Sequence, residues 1–381
     1  MRGFLTESFG NPASLHSDGV RARAALDRAR EQTAKFLGVS DPCQILFTSD
    51  AAESANLAMK GLALSPRRRG NHMVTTSLEH PSIRRCAASL RKLGITVTEI
   101  GCDHQGRVSH EAIAGALTSE TFLIALHLVN HDLGVIQSIE HTGAIAQERG
   151  IPLFVDAESA AGWIPVDAGR LGASLLSCSP HRYYGPKGVG VLFKDRRVRL
   201  EPQIEGGDQE YGLRAGIENV AGIAGAGLAA ELAQRDLPQR SLAASRVQTL
   251  FLHALRQEIQ GVHLHGPEPG PWRSPQSLFF SIDGVEGEAL VLHCDLQGVA
   301  LHAGSACTTR LAKAPPTLEA IGVPAILSRG AVLCSFGIGT RDDEVEKAIR
   351  VLKYGVARLR ELAPSSLACE PAIPTGGRVE D

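Results

Sequence analysis

Short apolar runs alternate, through the first half of the chain, with segments in which apolar residues recur every three or four positions. The short runs predict buried β-strands at 44–48, 72–76, 122–129, 152–155, 174–177 and 189–193. The longer segments predict amphipathic helices at 20–37, 52–62 and 82–93. Because this alternation is typical of a mostly parallel sheet with helices on both faces, the pattern predicts a large α/β domain.

The second half of the chain predicts a smaller α+β unit. An Ala/Gly-rich segment at 220–232 predicts a close-packed helix, and a charged segment at 241–259 predicts another. After a Pro/Gly-rich loop, strands and helices are predicted at 278–282, 286–293, 330–336 and 342–362. We therefore expect a large domain over 17–236 and a small domain formed by 1–16 and 237–362. The Pro/Ser/Gly-rich tail 363–381 is expected to be disordered.

Composition changes this picture mainly by exclusion. The 381 residues are 43% hydrophobic and carry 39 basic against 41 acidic side chains, which allows a globular core and gives nucleic acid no basic surface to bind. The sequence has no apolar run of about 18 residues, and its start has no signal-peptide apolar stretch. We therefore expect a soluble, cytoplasmic protein that binds neither nucleic acid nor membrane.

Cysteine and histidine spacing gives no metal site. The eight cysteines include no Cys-x-x-Cys pair, so they are expected to be thiols and not disulfides or zinc ligands. His127 and His131 are four residues apart, but the first falls in a predicted strand and the second in the turn after it. We therefore expect neither histidine to bind a metal. His263 and His265 are expected to lie in a polar loop.

Polar residues follow several predicted strands, where ligands of parallel sheets bind. The turn at 49–54 opens a predicted helix, and the backbone N–H groups of Ala51 and Ala52 at such a helix start are candidates to hold a phosphate. The candidate side chains at the other strand ends, and in a later Gly/Ser/Thr-rich loop, are His80, Asp156, Ser179, His181 and Cys307. Together they indicate one site at the edge of the sheet.

Much of the chain consists of short stretches that occur together, in this order, in one protein family. These stretches lie at 9–16, 47–49, 79–80, 129–130, 134–137, 155–157, 184–188, 206–207, 212–214, 218–219, 285–288 and 304–308. In them the chain resembles the cysteine desulfurases of the class V aminotransferase group. Those enzymes use pyridoxal phosphate (PLP) to move sulfur from cysteine onto an enzyme cysteine. The resemblance implies a fold-type I PLP-transferase-like homodimer with active sites at the subunit boundary.

The resemblance also implies a role for each candidate side chain. Asp156 matches the carboxylate that pairs with the protonated pyridinium nitrogen of PLP. His80 matches the histidine that lies on the cofactor ring and carries protons. Ser179 and His181 match groups that hold the phosphate. Cys307 matches the nucleophile that attacks the sulfur of the substrate adduct and leaves as a persulfide.

Arg182 stands at the position of the lysine that holds PLP as a Schiff base in this family. A guanidinium does not lose its proton in a protein and does not form an imine, so this change keeps charge and removes chemistry. Lys187 is no replacement, because the same lysine occurs in relatives that also have the Schiff-base lysine. The N-terminal strand segment that precedes the Gly-Asn-Pro run in relatives is also missing from this sequence.

Further departures surround the same ligand. Ser159 replaces a glutamine that hydrogen-bonds the cofactor's phenolic oxygen, and His131 replaces an asparagine beside the ring. Ala52 and Ile217 replace two hydroxyl residues that bind the phosphate, the second donated by the partner subunit. Each such bond to a charged group is worth about 1.5 to 3 kcal/mol. Leu333 replaces the arginine that clamps the substrate carboxylate, which leucine cannot do.

These departures predict a desulfurase homologue that has lost PLP-dependent desulfuration and acts in sulfur transfer through Cys307, as a persulfide carrier or regulatory partner. Covalent PLP is not expected, while noncovalent PLP or no cofactor both stay open. A second copy of the chain, a working desulfurase or a sulfur-acceptor protein are the expected partners. The alternatives are an active desulfurase that gives L-alanine and an enzyme persulfide, a non-catalytic scaffold, or a site where Arg182 and His131 bind another anion.

Overall fold

The computed structural model of the protein describes residues 1–304 and 315–362. Within these two ranges the strands form two sheets, one of seven strands and one of four. Cys307 and the predicted tail 363–381 lie outside the described residues. Among the helices of the described part, none is long and apolar enough to cross a membrane.

The large sheet contains every strand predicted in the first half of the chain. Its strands are β1 (Ile45–Thr48), β2 (His72–Thr76), β3 (Thr96–Ile100), β4 (Thr121–His127), β5 (Leu153–Asp156), β6 (Leu175–Cys178) and β7 (Gly190–Lys194). They stand in the order β1-β7-β6-β5-β4-β2-β3, and β7 runs antiparallel to both of its neighbours in an otherwise parallel sheet. The six predicted strands are confirmed, with ends within two residues of the prediction. β3 was missed because it is a half-exposed edge strand without an apolar run.

Helices cover both faces of the large sheet, as predicted. They are α2 (Ser17–Phe36), α3 (Ala51–Leu64), α4 (Pro81–Lys92), α5 (His110–Ala116) and α6 (Ile139–Glu148). In α2 the buried residues Ala22, Leu26 and Ala29 follow the spacing of three and four that predicted the helix. Leu26 packs in the core on one face of the sheet, whereas Leu57 of α3 and Leu90 of α4 pack in the core on the other face.

One long helix, α7 (Val220–Glu258), stands where the sequence predicted two. The prediction was wrong because the polar stretch around Pro238 has too few apolar residues to continue either pattern. Ala230 packs in the core of the large sheet, and Phe251 packs in the core of the small sheet, so burial at both ends carries the helix through the proline. The short helix α1 (Arg2–Thr6) packs against α7. The domain division at 236 and 237, which stays a prediction, falls beside Pro238.

The small sheet is antiparallel and completes the second unit. Its strands, in the order β10-β11-β9-β8, are β8 (Val262–His265), β9 (Ser277–Ile282), β10 (His302–Ala303) and β11 (Ala331–Ser335). The remaining helices are α8 (Gly287–Leu296), α9 (Pro316–Ala320), α10 (Ala325–Ser328) and α11 (Asp342–Leu362). His263 and His265 lie in β8 and not in a loop. The prediction missed this edge strand because its polar residues alternate with apolar ones, and His265 is bonded to Ser281 of β9 at 2.6 Å.

Candidate active site

The carboxyl ends of β1, β2, β4, β5 and β6 meet at one edge of the large sheet and border a cleft of about 740 Å³. The small unit contributes Gly304, Thr317 and Leu333 to the opposite wall. The predicted site residues that line this cleft are Ala51, Ala52, His80, His131, Asp156, Ser159, His181 and Arg182. Ser179 is fully buried beside it. These nine predicted site residues therefore lie together in the structure. Ile217, which the resemblance assigns to the phosphate site of the partner subunit, lies on the surface and is 64% exposed.

Arg182 brings a permanent positive charge into the cleft. It lies in the 3-10 helix Pro180–Tyr183 that follows β6, and its carbonyl accepts a hydrogen bond from the indole N–H of Trp163 at 3.1 Å. One guanidinium nitrogen, Nη2, donates to Ser159 Oγ at 3.2 Å, while Nε is buried without a hydrogen-bond partner. Among the described residues that line the cleft there is no lysine.

Asp156 ends β5 and is buried at the floor of the cleft. Its Oδ1 accepts a hydrogen bond from the Glu158 N–H at 2.9 Å and a longer one from Ser177 Oγ at 3.5 Å. Burial raises the pKa of Asp156 to about 6. The hydrogen bond from the Glu158 N–H lowers this pKa, whereas the negative charge of Glu79 raises it. The carboxylate therefore favours a positively charged neighbour.

A buried imidazole–carboxylate pair supports the floor of the cleft from behind. His127 Nδ1 lies 2.9 Å from Glu79 Oε1, and its Nε2 lies 3.2 Å from Gln137 Nε2. In the register of β4 and β5, His127 stands opposite Asp156. Burial lowers the pKa of His127, but the charge and hydrogen bond of Glu79 outweigh it and the pKa is raised. Within the described residues, no group of three or more His, Cys, Asp or Glu is placed to hold a metal ion.

Two imidazoles form a second wall. The rings of His80 and His131 meet edge to face, with centroids 5.0 Å apart and planes at 84°. His80 also caps α4, because its Nδ1 accepts the Ser82 N–H at 3.2 Å. His80 is exposed, but desolvation of its ring in the cleft lowers its pKa to about 4, helped by His131 and Arg182. Burial likewise lowers the pKa of His131. Both rings are therefore neutral near pH 7 and can accept a proton or a hydrogen bond.

His131 also connects the two units of the fold. Its Nε2 lies 3.5 Å from Asp132 Oδ2, and that oxygen accepts a hydrogen bond from Thr317 Oγ1 of α9 at 2.6 Å. The wall of the cleft formed by His131 is therefore held from both the large sheet and the small unit.

At the α3 end of the cleft, two acidic residues that the sequence analysis did not single out become prominent. The Asp50 carboxylate caps α3 by accepting the Ala52 N–H at 2.8 Å. Glu158 Oε1 lies 3.4 Å from His181 Nε2, and its Oε2 is buried without a partner. Burial raises the pKa of Glu158 to about 8, and the charge of Asp156 adds to the rise. In the sequence, the only indication of a role for Asp50 and Glu158 is that each lies in the turn after a predicted strand.

Of the six described cysteines, four are buried and have the character of inert thiols, Cys102 is half-buried, and one is exposed. Burial raises the pKa of Cys86 and Cys294 to about 11 and that of Cys334 to about 12, and it raises the pKa of Cys178 as well. Cys43 is exposed. Cys307 lies outside the described residues, but Gly304, three residues before it, lines the cleft.

Comparison with known proteins gives the class first. The sequence model of the family described as aminotransferase class-V matches residues 1–348. A solved NifS-like protein has the same fold, with a TM-score of 0.87 and 29% identity over 94% of each chain. The structure described as SspA in complex with cysteine is 30% identical, with a TM-score of 0.77, and covers 88% of this chain and 93% of its own.

The curated relatives narrow the class. Cysteine desulfurase IscS of Dictyoglomus turgidum is 37% identical over 364 residues, which cover 96% of this chain and 92% of the relative. Cysteine desulfurase IscS of Neisseria gonorrhoeae is 37% identical over 95% of this chain and 89% of its own. The chain therefore belongs to the cysteine desulfurase family of the class-V aminotransferases.

PLP is the cofactor of this family, and the described residues of the cleft fit it only in part. Asp156 and His80 both line the cleft, where the first could pair with the nitrogen of a pyridinium ring and the second could lie on its face. The described lining offers no amine for covalent attachment, however, and the carboxylates of Asp50 and Glu158 lie at the end assigned to the phosphate. These residues do not fit a covalently held PLP.

Proposed function

We propose that this member of the cysteine desulfurase family has lost PLP-dependent desulfuration and handles sulfur as a persulfide on Cys307. The observation that carries the proposal is Arg182, which lines the cleft and donates to Ser159 where an amine is needed. A guanidinium stays protonated at every physiological pH, so it has no lone pair to attack an aldehyde and cannot accept a proton from substrate carbon. When bound in a relative, PLP supplies the electron sink for that chemistry.

Persulfide transfer needs neither an imine nor an oxidant. The Cys307 thiolate attacks the outer sulfur of a donor persulfide, a new sulfur–sulfur bond forms, and the donor thiolate leaves with the electron pair of the old bond. Cys307 is then the persulfide, and the same exchange in the other direction passes the sulfur to an acceptor thiol. The positive charge of Arg182 in the cleft supports the proposal, because a cation stabilises thiolate and persulfide anions that approach it.

The experiment incubates the protein with a working desulfurase and L-cysteine and then maps its peptides by mass spectrometry. We expect one added sulfur atom on the Cys307 peptide, none on that position in Cys307→Ala, and an unchanged result in Cys43→Ala. Cys43 is the matched control because it is an exposed thiol in the described structure. An unmodified Cys307 beside a persulfidated donor would refute the carrier role. An effect on the donor that persists in Cys307→Ala would assign a regulatory role instead.

We further propose that the chain forms a homodimer and exchanges sulfur with a working desulfurase or an acceptor protein. Large apolar side chains near the N-terminus support a covered surface: Leu5, Phe9 and Leu15 are 67%, 77% and 96% exposed. Ile217, assigned by resemblance to the site of a second subunit, is also exposed. Sedimentation velocity tests the dimer, and a monomer at micromolar protein would contradict it.

The second candidate is an active PLP-dependent desulfurase. It is favoured by 37% identity with a cysteine desulfurase over almost the whole chain. This candidate requires L-alanine to be released from L-cysteine when PLP is added, together with a persulfide on Cys307 in the absence of any other desulfurase. The two candidates therefore differ in whether the chain needs an external sulfur donor.

A further inference from the structure

The groups that a phosphate would use at the start of α3 already have partners inside the chain. The Ala51 N–H donates to Ser179 Oγ at 2.9 Å, so one amide and one hydroxyl assigned to the phosphate are bonded to each other. The Ala52 N–H donates to the Asp50 carboxylate at 2.8 Å. A phosphate at this helix start would have to displace a carboxylate that is covalently fixed one residue before the helix.

The remaining phosphate-binding group is likewise occupied. His181 Nε2 lies 3.4 Å from Glu158 Oε1. The second oxygen of Glu158 is buried without a hydrogen-bond partner and lies in the same cleft. Glu158 is thus the group that faces His181 at this end, where a phosphate would need to stand.

The electrostatics of this end oppose an anion. The Asp50 carboxylate raises the free energy of a second negative group. The carboxyl of Glu158 has a pKa raised to about 8 by burial first and by the charge of Asp156 next, against Arg182, which lowers it, so Glu158 is mostly protonated near pH 7 and repels an anion only as the pH rises toward 8. A phosphate dianion would raise that pKa further. It would therefore bind only with a proton held on Glu158, and binding would weaken as the pH rises.

We infer that Asp50 and Glu158 occupy the former phosphate end of the cleft, so that this site excludes phosphorylated ligands, noncovalent PLP included. In place of a phosphate, this end accepts a hydroxyl, which can hydrogen-bond the free oxygen of Glu158. The cleft thereby selects unphosphorylated small molecules. The inference goes beyond the loss of the Schiff-base lysine, because it holds whether or not an amine is present.

The test uses pyridoxine and pyridoxine 5′-phosphate, a matched pair that differs only in the phosphate and has no aldehyde to react with surface lysines. Calorimetric titration of the full chain is expected to show binding of pyridoxine at least about tenfold tighter than binding of the phosphate ester. In the double variant Asp50→Asn, Glu158→Gln, which keeps both shapes and removes both ionisable groups, affinity for the ester at pH 8 is expected to rise about ten- to a hundredfold. Glu99→Gln removes a negative charge from the outer part of the same cleft and should change nothing.

Two outcomes would overturn the inference. One is a wild-type chain that binds the phosphate ester as tightly as pyridoxine or more tightly. The other is a double variant with unchanged circular dichroism and melting temperature that gains no affinity for the ester. Both outcomes are independent of Cys307, so the carrier role and the exclusion of phosphate can fail separately.

Discussion

Arg182 retains the positive charge of a lysine but not its nucleophilic nitrogen. Its Nη2 hydrogen bond to Ser159 and the hydrogen bond from Trp163 to its carbonyl fix it in the cleft. The neighbouring Asp156 and the imidazole of His80 have pKa values, about 6 and about 4, that burial has shifted toward their neutral forms. A guanidinium beside these two groups makes this part of the cleft suited to binding an anionic sulfur, and it cannot form an imine with an aldehyde.

The Glu158 carboxyl should make stability depend on pH. Its folded pKa of about 8 lies above its ordinary value of 4.5, so the folded state binds the extra proton and stability falls as the pH rises from about 4.5 to 8. In Glu158→Gln this loss is absent. We expect the variant to gain about 1 to 4 kcal/mol relative to the wild type between pH 5 and pH 8, measured by urea unfolding. An equal difference at both pH values would contradict the raised pKa.

At the scale of elements, the close approach of α2 and α7 depends on Gly227. A Cβ added there would lie 2.5 Å from the Ala29 Cα, and neither backbone can move alone. Gly227→Ala should therefore destabilise the protein by about 1 to 3 kcal/mol, although alanine is the better helix former. Gly225→Ala is the control, because its Cβ would meet the flexible Met1 side chain and Pro186. Denaturant unfolding of both variants tests the prediction, and equal stabilities would contradict it.

The elements show what the sequence could predict. Fully buried strands such as β4 and β6 are continuous apolar runs and were found, whereas the half-exposed β3 was not. The sequence predicted two helices in place of α7 because the middle of this helix packs on neither core and therefore has no apolar pattern. Tertiary packing on both sides, which no local window contains, decides its continuity.

The candidate site divides in the same way. His80 and Asp156 were found because strand ends of a parallel sheet converge on ligands. Asp50 and Glu158 were missed because an acidic residue in a turn has no motif, and its effect depends on which groups it faces. The distances that join Glu158 to His181, and Ala51 to Ser179, exist only in the folded chain.

At the scale of the whole molecule, the two sheets share one cleft, and both ends of the segment that carries Cys307 border it: Gly304 on one side and Pro316 on the other. The bond between Thr317 and Asp132 ties the small unit to the wall that His131 forms. The chain therefore has the fold of a cysteine desulfurase, but the described residues that line its cleft include no amine that could bind PLP covalently. On the proposed function, this molecule receives sulfur only from an external donor.

The most direct test of this account is covalent attachment of PLP. The purified chain is incubated with PLP, reduced with borohydride, separated by gel filtration and weighed by mass spectrometry, with a working desulfurase treated in parallel. We predict no retained absorbance and no added cofactor mass, while the working desulfurase gains one PLP for each subunit. One PLP per chain on a single lysine, located by peptide mapping at Lys187 or another position, would contradict the account. It would favour an active desulfurase instead.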